Sequence, residues 1–272
     1  MHLLVKILSL VLTLVSLYCY SQQNRKSHLF YYTVVYNGSK NDSTSIKGEA
    51  KFVLSVQDSI SIFSNVKNVH KDSILLHWKN LPKNIKGNLS MAGVPRTPFT
   101  YYIKKHNSKN DVTTFDLIGG KNFYYNENFP KDRWILKEGT RIIEGFNCYN
   151  AEITIFGRNF IAWYTPEIPF QDGPYKFSGL PGLIVELYDS ENMYKFKLVE
   201  YNPNDHQFIS IPELRKYKMS KTDKLTFIKA KENYQENLAE VAKSMGLPVS
   251  QERAKQIRER SKNKVSPLEV SE

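Results

Sequence analysis

Four charged side chains fall close together in one aromatic-rich stretch: Arg158, Glu167, Asp172 and Lys176, interleaved with Trp163, Tyr164 and Tyr175. Two carboxylates flanking a Pro-containing loop are what acid–base hydrolysis needs, one to protonate a leaving group and one to activate water or attack. In that reading Glu167 and Asp172 are the catalytic candidates. Arg158 positions an anionic or carbonyl group, and Trp163, Tyr164, Tyr175 and Lys176 line the binding surface. The same residues have a structural use, and it is the stronger expectation. Glu167 can accept from backbone amides of a loop with no ladder partner, or pair with Arg158 across a sheet. Trp163 and Tyr164 point to opposite faces of one strand, and the core position is assigned to Trp163.

Other chemistries find little support in residue type and spacing. His28, His70, His77, His106 and His206 are scattered singly, without zinc-site spacing. Phosphate loops, nucleophile elbows and dinucleotide fingerprints are absent, so no cofactor and no metal is expected. Cys148, in Phe146-Asn147-Cys148-Tyr149, reads as a small buried hydrophobe rather than a nucleophile.

The elements that must position these residues are strands and turns. Phe160–Tyr164 alternates as a strand, and Pro166 and Pro169 then remove two amide donors, so the chain leaves its sheet. It returns through Gly179, Leu180, Pro181 and Gly182, a sequence suited to a type II turn, with Leu183 and Ile184 re-entering a strand. Leu183–Tyr188 should pair with Met193–Tyr201 across Asp189–Asn192.

Upstream, strands are expected at Leu29–Tyr36, Glu49–Val56, Ser59–Asn65, Phe99–Lys104, Val112–Leu117, Phe123–Tyr125, Asp132–Leu136, Thr140–Ile143 and Cys148–Phe156. The last meets Phe160–Trp163 across a three-residue loop, Gly157–Asn159. Asp72–Leu81 has no clean period and is left open. The fold class is therefore mainly β: a curved antiparallel meander sheet, or a half-barrel or sandwich, with a C-terminal helical segment. Ser220–Asp223 resembles a capping box opening a helix with Phe227, Tyr234, Leu238, Val241 and Met245 on one face. A charged surface helix follows at Ser250–Lys262.

Residues 1–21 have the charge, apolar run and small residues of a cleaved signal peptide. Residues 22–212 form the β domain, and 213–272 a basic helical tail packed on it. Lipidation at Cys19 is the lesser alternative to simple cleavage. After cleavage Cys148 stands alone, which leaves no intramolecular disulfide. The net charge is +11, and about half the excess follows Glu213, where fourteen Lys/Arg face nine Asp/Glu. Such a tail is attracted to anionic membrane surfaces, while nucleic acid is not an expected partner of an exported chain.

From Trp134 to Tyr188 the chain resembles the GLPGLI family of exported Bacteroidetes proteins. The pieces are Trp134, EGFNCYNA (Glu144–Ala151), FGR (Phe156–Arg158), AWYTPEIP (Ala162–Pro169) and GPYKFSGLPGLI (Gly173–Ile184). Phe146 and Asn150 replace the Tyr and Lys usual at those places, and the SPLEV tail is similar to the Asn-Pro-Ile-Glu-Leu ending of such proteins. The resemblance implies an exported, mostly antiparallel β protein, often encoded beside TonB-dependent outer-membrane receptors, with no settled activity. A weaker similarity links the chain to the bowl-shaped accessory domain of a secreted peptide:N-glycosidase. Asp42-Ser43-Thr44, Asp58-Ser59-Ile60 and Asp72-Ser73-Ile74 fit the short pattern that Bacteroidetes use for O-glycosylation.

The expected function is that of a periplasmic or outer-membrane binding or accessory protein working with a TonB-dependent receptor or another envelope protein. The alternatives are a hydrolase of glycan or peptide material using Glu167 and Asp172, and a purely structural interaction domain in which Gly179–Ile184 is a fold determinant.

Overall fold

The computed structural model describes residues 26–37, 48–82, 84, 90–205, 208–246, 248–262 and 268–269. The expected signal peptide with Cys19, and the Asp42 motif, lie outside these residues. The chain is mainly β with a helical C-terminal segment, as the sequence predicts, and among the described residues the strands form one mixed, open sheet of twelve.

The strands are β1 (Ser27–Tyr36), β2 (Gly48–Gln57), β3 (Ile60–Asn65), β4 (Tyr102–His106), β5 (Asp111–Ile118), β6 (Lys121–Asn128), β7 (Ile135–Ile143), β8 (Phe146–Ile155), β9 (Arg158–Thr165), β10 (Leu183–Asp189), β11 (Tyr194–Asp205) and β12 (Ser220–Lys221). Their spatial order is β12-β6-β5-β4-β3-β2-β1-β11-β10-β9-β8-β7. Two antiparallel meanders, β2–β6 and β7–β11, are thus joined by β1, which pairs with β2 on one side and β11 on the other. Among the described residues only the short β12–β6 pair is parallel.

Helix α1 (Val66–Asn80) fills the stretch that had no legible period. Its inner face is polar, which explains the missing apolar stripe: Asn68 and Asp72 are the buried residues. They receive Arg215 from the short helix α2 (Glu213–Lys216), whose Nε lies 2.6 Å from Asp72 and whose Nη2 lies 2.9 Å from Asn68. The Tyr102 hydroxyl donates to the same Asp72 oxygen at 3.0 Å. Asn65 caps the helix, accepting from the amides of Lys67 and Asn68.

Several expectations are corrected locally. β7 runs through Glu138-Gly139 as one strand, with a register shift between Lys137 and Thr140 in place of a break. The β8–β9 loop has two residues, since Ile155 pairs with Arg158, and Phe156 and Gly157 both take positive φ, 58° and 68°. Ser220 lies in β12, and the following helix α3 (Lys224–Glu236) is capped by Asp223 through the Thr226 amide. A break at Asn237 separates α3 from α4 (Leu238–Ser244), leaving Phe227 buried but Leu238 and Met245 exposed. The last helix, α5 (Gln251–Lys262), matches its expectation.

The sheet is strongly curved, and one side chain proves it. The Lys176 ammonium lies 3.1 Å from the Tyr125 hydroxyl on β6 and 5.5 Å from the ring of Phe156, which follows β8. In the sheet order β6 and β8 are nine strand positions apart, about 43 Å on a flat sheet. The strands must therefore curl until both meanders reach one point. Residues 166–182, between β9 and β10, sit inside that curl. Their Ile168, Tyr175, Phe177 and Leu180 share one core with Phe30 and Tyr32 of β1, Phe52 and Leu54 of β2, and Phe160 and Ala162 of β9.

Candidate functional site

The loop 166–182 begins where Pro166 ends β9, and three tight closures then fold it inward: the Phe170 amide donates to Ile168 O, Asp172 to Phe170 O and Gly182 to Leu180 O. The last spans only Pro181, so the GLPGLI turn closes as a three-residue γ-turn rather than as type II. Gly182 has φ 143°, and a Cβ there would overlap the Thr165 carbonyl and stand 2.8 Å from the Pro166 nitrogen. Glycine is required by this close approach of two strands at the mouth of the loop.

Asp172 is fully buried at the loop's centre. It forms an ion pair with Lys105 of β4, accepts from Asn107 Nδ2 at 2.9 Å and from the Gly173 amide at 2.7 Å. Lys105 donates onward to the Gly173 carbonyl at 2.6 Å. Burial pushes the Lys105 ammonium below its ordinary value, with Asp172 working against that shift. Tyr32 reaches across from β1 to donate to Ile184 O at 2.8 Å, and burial pushes its hydroxyl well up, with Asp172 adding to it. Lys105 thus fastens the loop to β4, and Tyr32 ties the start of β10, just beyond the loop, to β1.

Glu167 stands apart, exposed, accepting from the Asn147 backbone amide at 2.8 Å and its side chain at 3.0 Å. It shares no partner with Asp172 in these contacts. Arg158 is buried and donates to Asp189 at 3.3 Å and Glu191 at 3.0 Å; Asp189 in turn accepts from the Tyr194 amide at 2.6 Å, closing the β10–β11 turn. Tyr164 takes the core side of β9, the reverse of the assignment made from sequence, while Trp163 is half-buried on the other face beneath the Arg141 guanidinium, 4.3 Å from its ring centroid. Arg141 also pairs with Glu186. Cys148 is fully buried, and burial raises its thiol above the ordinary value, which lowers its thiolate fraction.

The densest cluster surrounds Lys176. Its ammonium contacts the Tyr125 hydroxyl and two carboxylates, Glu127 of β6 and Glu269 of the tail. Lys224, at the start of α3, bridges the same two carboxylates, lying 2.9 Å from Glu127. Tyr175 donates its hydroxyl to Glu269. Burial works to lower Lys176, but Glu269, Tyr125 and Glu127 outweigh it and hold its ammonium above the ordinary lysine range. Tyr175 is pushed well up by burial, with Glu269 contributing. Both aromatic walls of this cluster have positive φ, Phe156 at 58° and Tyr175 at 55°, a costly conformation for bulky residues.

Of the candidates from sequence, Tyr175 and Lys176 meet here, whereas Arg158, Trp163, Glu167 and Asp172 each have separate partners. Sequence reasoning missed Lys105, Tyr125, Glu127, Lys224 and Glu269. Lys105 had a signal, since it shares strand parity with buried Ile103. The others are joined only by tertiary structure. Among the described residues no group of three His, Cys, Asp or Glu could hold a metal ion, and no helix is long and apolar enough to cross a membrane.

Comparison with known proteins matches this same region. Residues 157–186, running from β9 through the loop into β10, match the family described as "Protein of unknown function (Porph_ging)", the GLPGLI-type family. No curated protein matches the chain. Among solved structures, PNGF-II, a peptide:N-glycosidase, is similar in two crystal forms. In the P21 form the TM-score is 0.52 with 14% identity over 77% of this chain, and in the C2 form 0.52 with 13% identity over 77%. The chain spans about a third of the PNGF-II chain, 34% and 33% in the two forms. A LolA superfamily protein from Nitrosomonas europaea also matches, with TM-score 0.28 and 8% identity over 66% of this chain and 87% of that one. The PNGF-II likeness is one of fold.

Proposed function

We propose that this chain is an exported, envelope-associated binding or accessory protein acting beside a TonB-dependent outer-membrane receptor, and that it binds through strand β7. The observation that supports this most directly is the edge itself. β7 ends the sheet, pairs among the described residues only with β8, and leaves Ile135 and Leu136 each 59% exposed and Ile142 74% exposed. A free edge offers unpaired amides and carbonyls to an extended segment of a partner, and neighbouring aliphatic side chains supply selectivity. The register shift at Lys137/Thr140 and the charges of Lys137, Glu138 and Arg141 limit indiscriminate pairing.

The internal engagement of Arg158, Asp172 and Lys176 favours this reading over turnover by Glu167 and Asp172. PNGF-II is an enzyme, but this chain corresponds to a third of it and shares its fold, which suits an accessory module. The basic tail adds attraction to anionic envelope surfaces.

The purified chain, immobilised and exposed to detergent-solubilised outer membranes, should retain a TonB-dependent receptor. Ile142→Lys together with Leu136→Lys should reduce that capture at least tenfold without shifting Tm, because exposed substitutions change stability by roughly 0.5 kcal/mol or less. Capture unaffected by the pair, or no outer-membrane component retained, would reject the proposal.

A further inference from the structure

The cluster around Lys176 has the charge arithmetic of a recognition site. Within the strands, loop and α3 it holds two ammonium groups, Lys176 and Lys224, against one carboxylate, Glu127. The second carboxylate comes from Glu269, brought in from the far end of the chain. Without it the fully buried Lys176 and the partly exposed Lys224 share the single carboxylate of Glu127, beside the hydroxyls of Tyr125 and Tyr175, in a setting where an under-paired charge is costly. The ring of Phe156 offers its face to both cations, 4.7 Å from Lys224 and 5.5 Å from Lys176. Beside Glu269, Leu268 is buried in the main core cluster. The pair therefore docks as ligands do, with an apolar anchor in the core and a charged group on matched donors.

We propose that Lys176, Lys224, Tyr175 and Tyr125 form a carboxylate-recognition socket for an aliphatic–glutamate segment, and that the chain's own Leu268-Glu269 is its resident, exchangeable ligand. The socket is separate from the β7 edge and its test needs no envelope partner, so either proposal can fail alone. Two features set it apart from an ordinary tail contact. The residues that read the carboxylate are held by strand β6, the loop and the start of α3, with Lys176 fully buried. One wall, Phe156, takes its left-handed conformation from the two-residue β8–β9 turn, while the other, Tyr175, is kept in an unfavourable one, and both rings lie beside Lys176. Such strain persists only when the surrounding structure over-determines it, so the socket's shape belongs to the scaffold.

The test uses the full chain carrying Leu268→Ala and Glu269→Ala, with a synthetic peptide of residues 264–272 as probe. The variant should keep its far-ultraviolet circular dichroism, lose thermal stability, and bind the peptide saturably with Tm rising as peptide is added. The intact chain, its socket already filled, should bind at least tenfold more weakly. A peptide with Gln at the position of Glu269 should also bind at least tenfold more weakly to the variant. A folded variant that ignores the peptide, or that takes both peptides equally, overturns the proposal. Should the double variant not fold, Glu269→Gln alone carries the same test, read as recovery of Tm by the wild-type peptide. Failure of that isosteric change to fold would make the tail part of the core rather than a ligand, and would equally overturn it.

Discussion

Gly182 shows how a single position can carry a fold. Its φ of 143° and the overlap of any added Cβ with the Thr165 carbonyl leave no room for a side chain between the end of β9 and the start of β10. Gly182→Ala should lower stability by more than about 2 kcal/mol, read from denaturant midpoints, because left-handed strain and backbone overlap add. A loss below about 0.5 kcal/mol would show that the two strands can part locally. This requirement was legible in the sequence, since Pro followed by Gly is local turn chemistry. The type of turn was not, because a type II turn would close the Leu183 amide onto Leu180 O, whereas here Gly182 takes that carbonyl and Leu183 donates to Ile168 O within the loop. Trp163 and Tyr164 teach the same lesson. Alternation put them on opposite faces, but only the curl of the sheet decides which face is inside.

At its centre the loop 166–182 is held by the buried ion pair Lys105–Asp172, with Asn107 and the Gly173 amide completing the carboxylate's partners. Removing one member strands the other in a dry site. Asp172→Leu or Lys105→Met alone should cost about 3–5 kcal/mol, whereas the double change should recover most of that loss. A double variant as unstable as the sum of the singles would show that the loop's amides, not the pair, hold it. Urea denaturation of the three variants decides. Elements were legible where hydrophobic periodicity was clean, as in β1, β2 and the β10–β11 hairpin. Legibility failed for α1, whose inward residues Asn68 and Asp72 await Arg215 from 147 and 143 positions away. In β7, Glu138-Gly139 reads as a turn because a bulge uses the same residue types.

At the scale of the whole molecule, the tail, the loop and both meanders meet at Lys176. Burial works to raise the Glu269 carboxyl, but Lys176 and Lys224 outweigh it and hold it below its ordinary value of 4.5. Its contribution to stability is therefore complete above that value and is lost as pH falls through the lowered one. Lys176 is held above its ordinary 10.5, so its contribution is complete below that value and fades at higher pH. The Tm difference between the intact chain and Glu269→Gln should be flat from about pH 5 to 10 and shrink on the acid side. A difference that grew on acidification would contradict the depressed carboxyl. The cluster was invisible in sequence because its members, from Tyr125 to Glu269, share no spacing; Tyr175 and Lys176 drew notice in the motif and Glu269 in the SPLEV tail, but nothing joined them.

The joining role of β1 sets a timetable for the chain. Tyr32 pairs with Phe52, a neighbour available almost at once, and also with Leu198, made 166 residues later. At ribosomal rates of about 5–20 residues per second, one flank of the first strand stays open for roughly 8–33 s. During that interval its LFYYTVVY run has a bare edge and a dry face seeking cover, and the loop that will fill the curl does not yet exist. The half-made sheet therefore needs a guardian, or must be kept from forming at all, until β11 arrives.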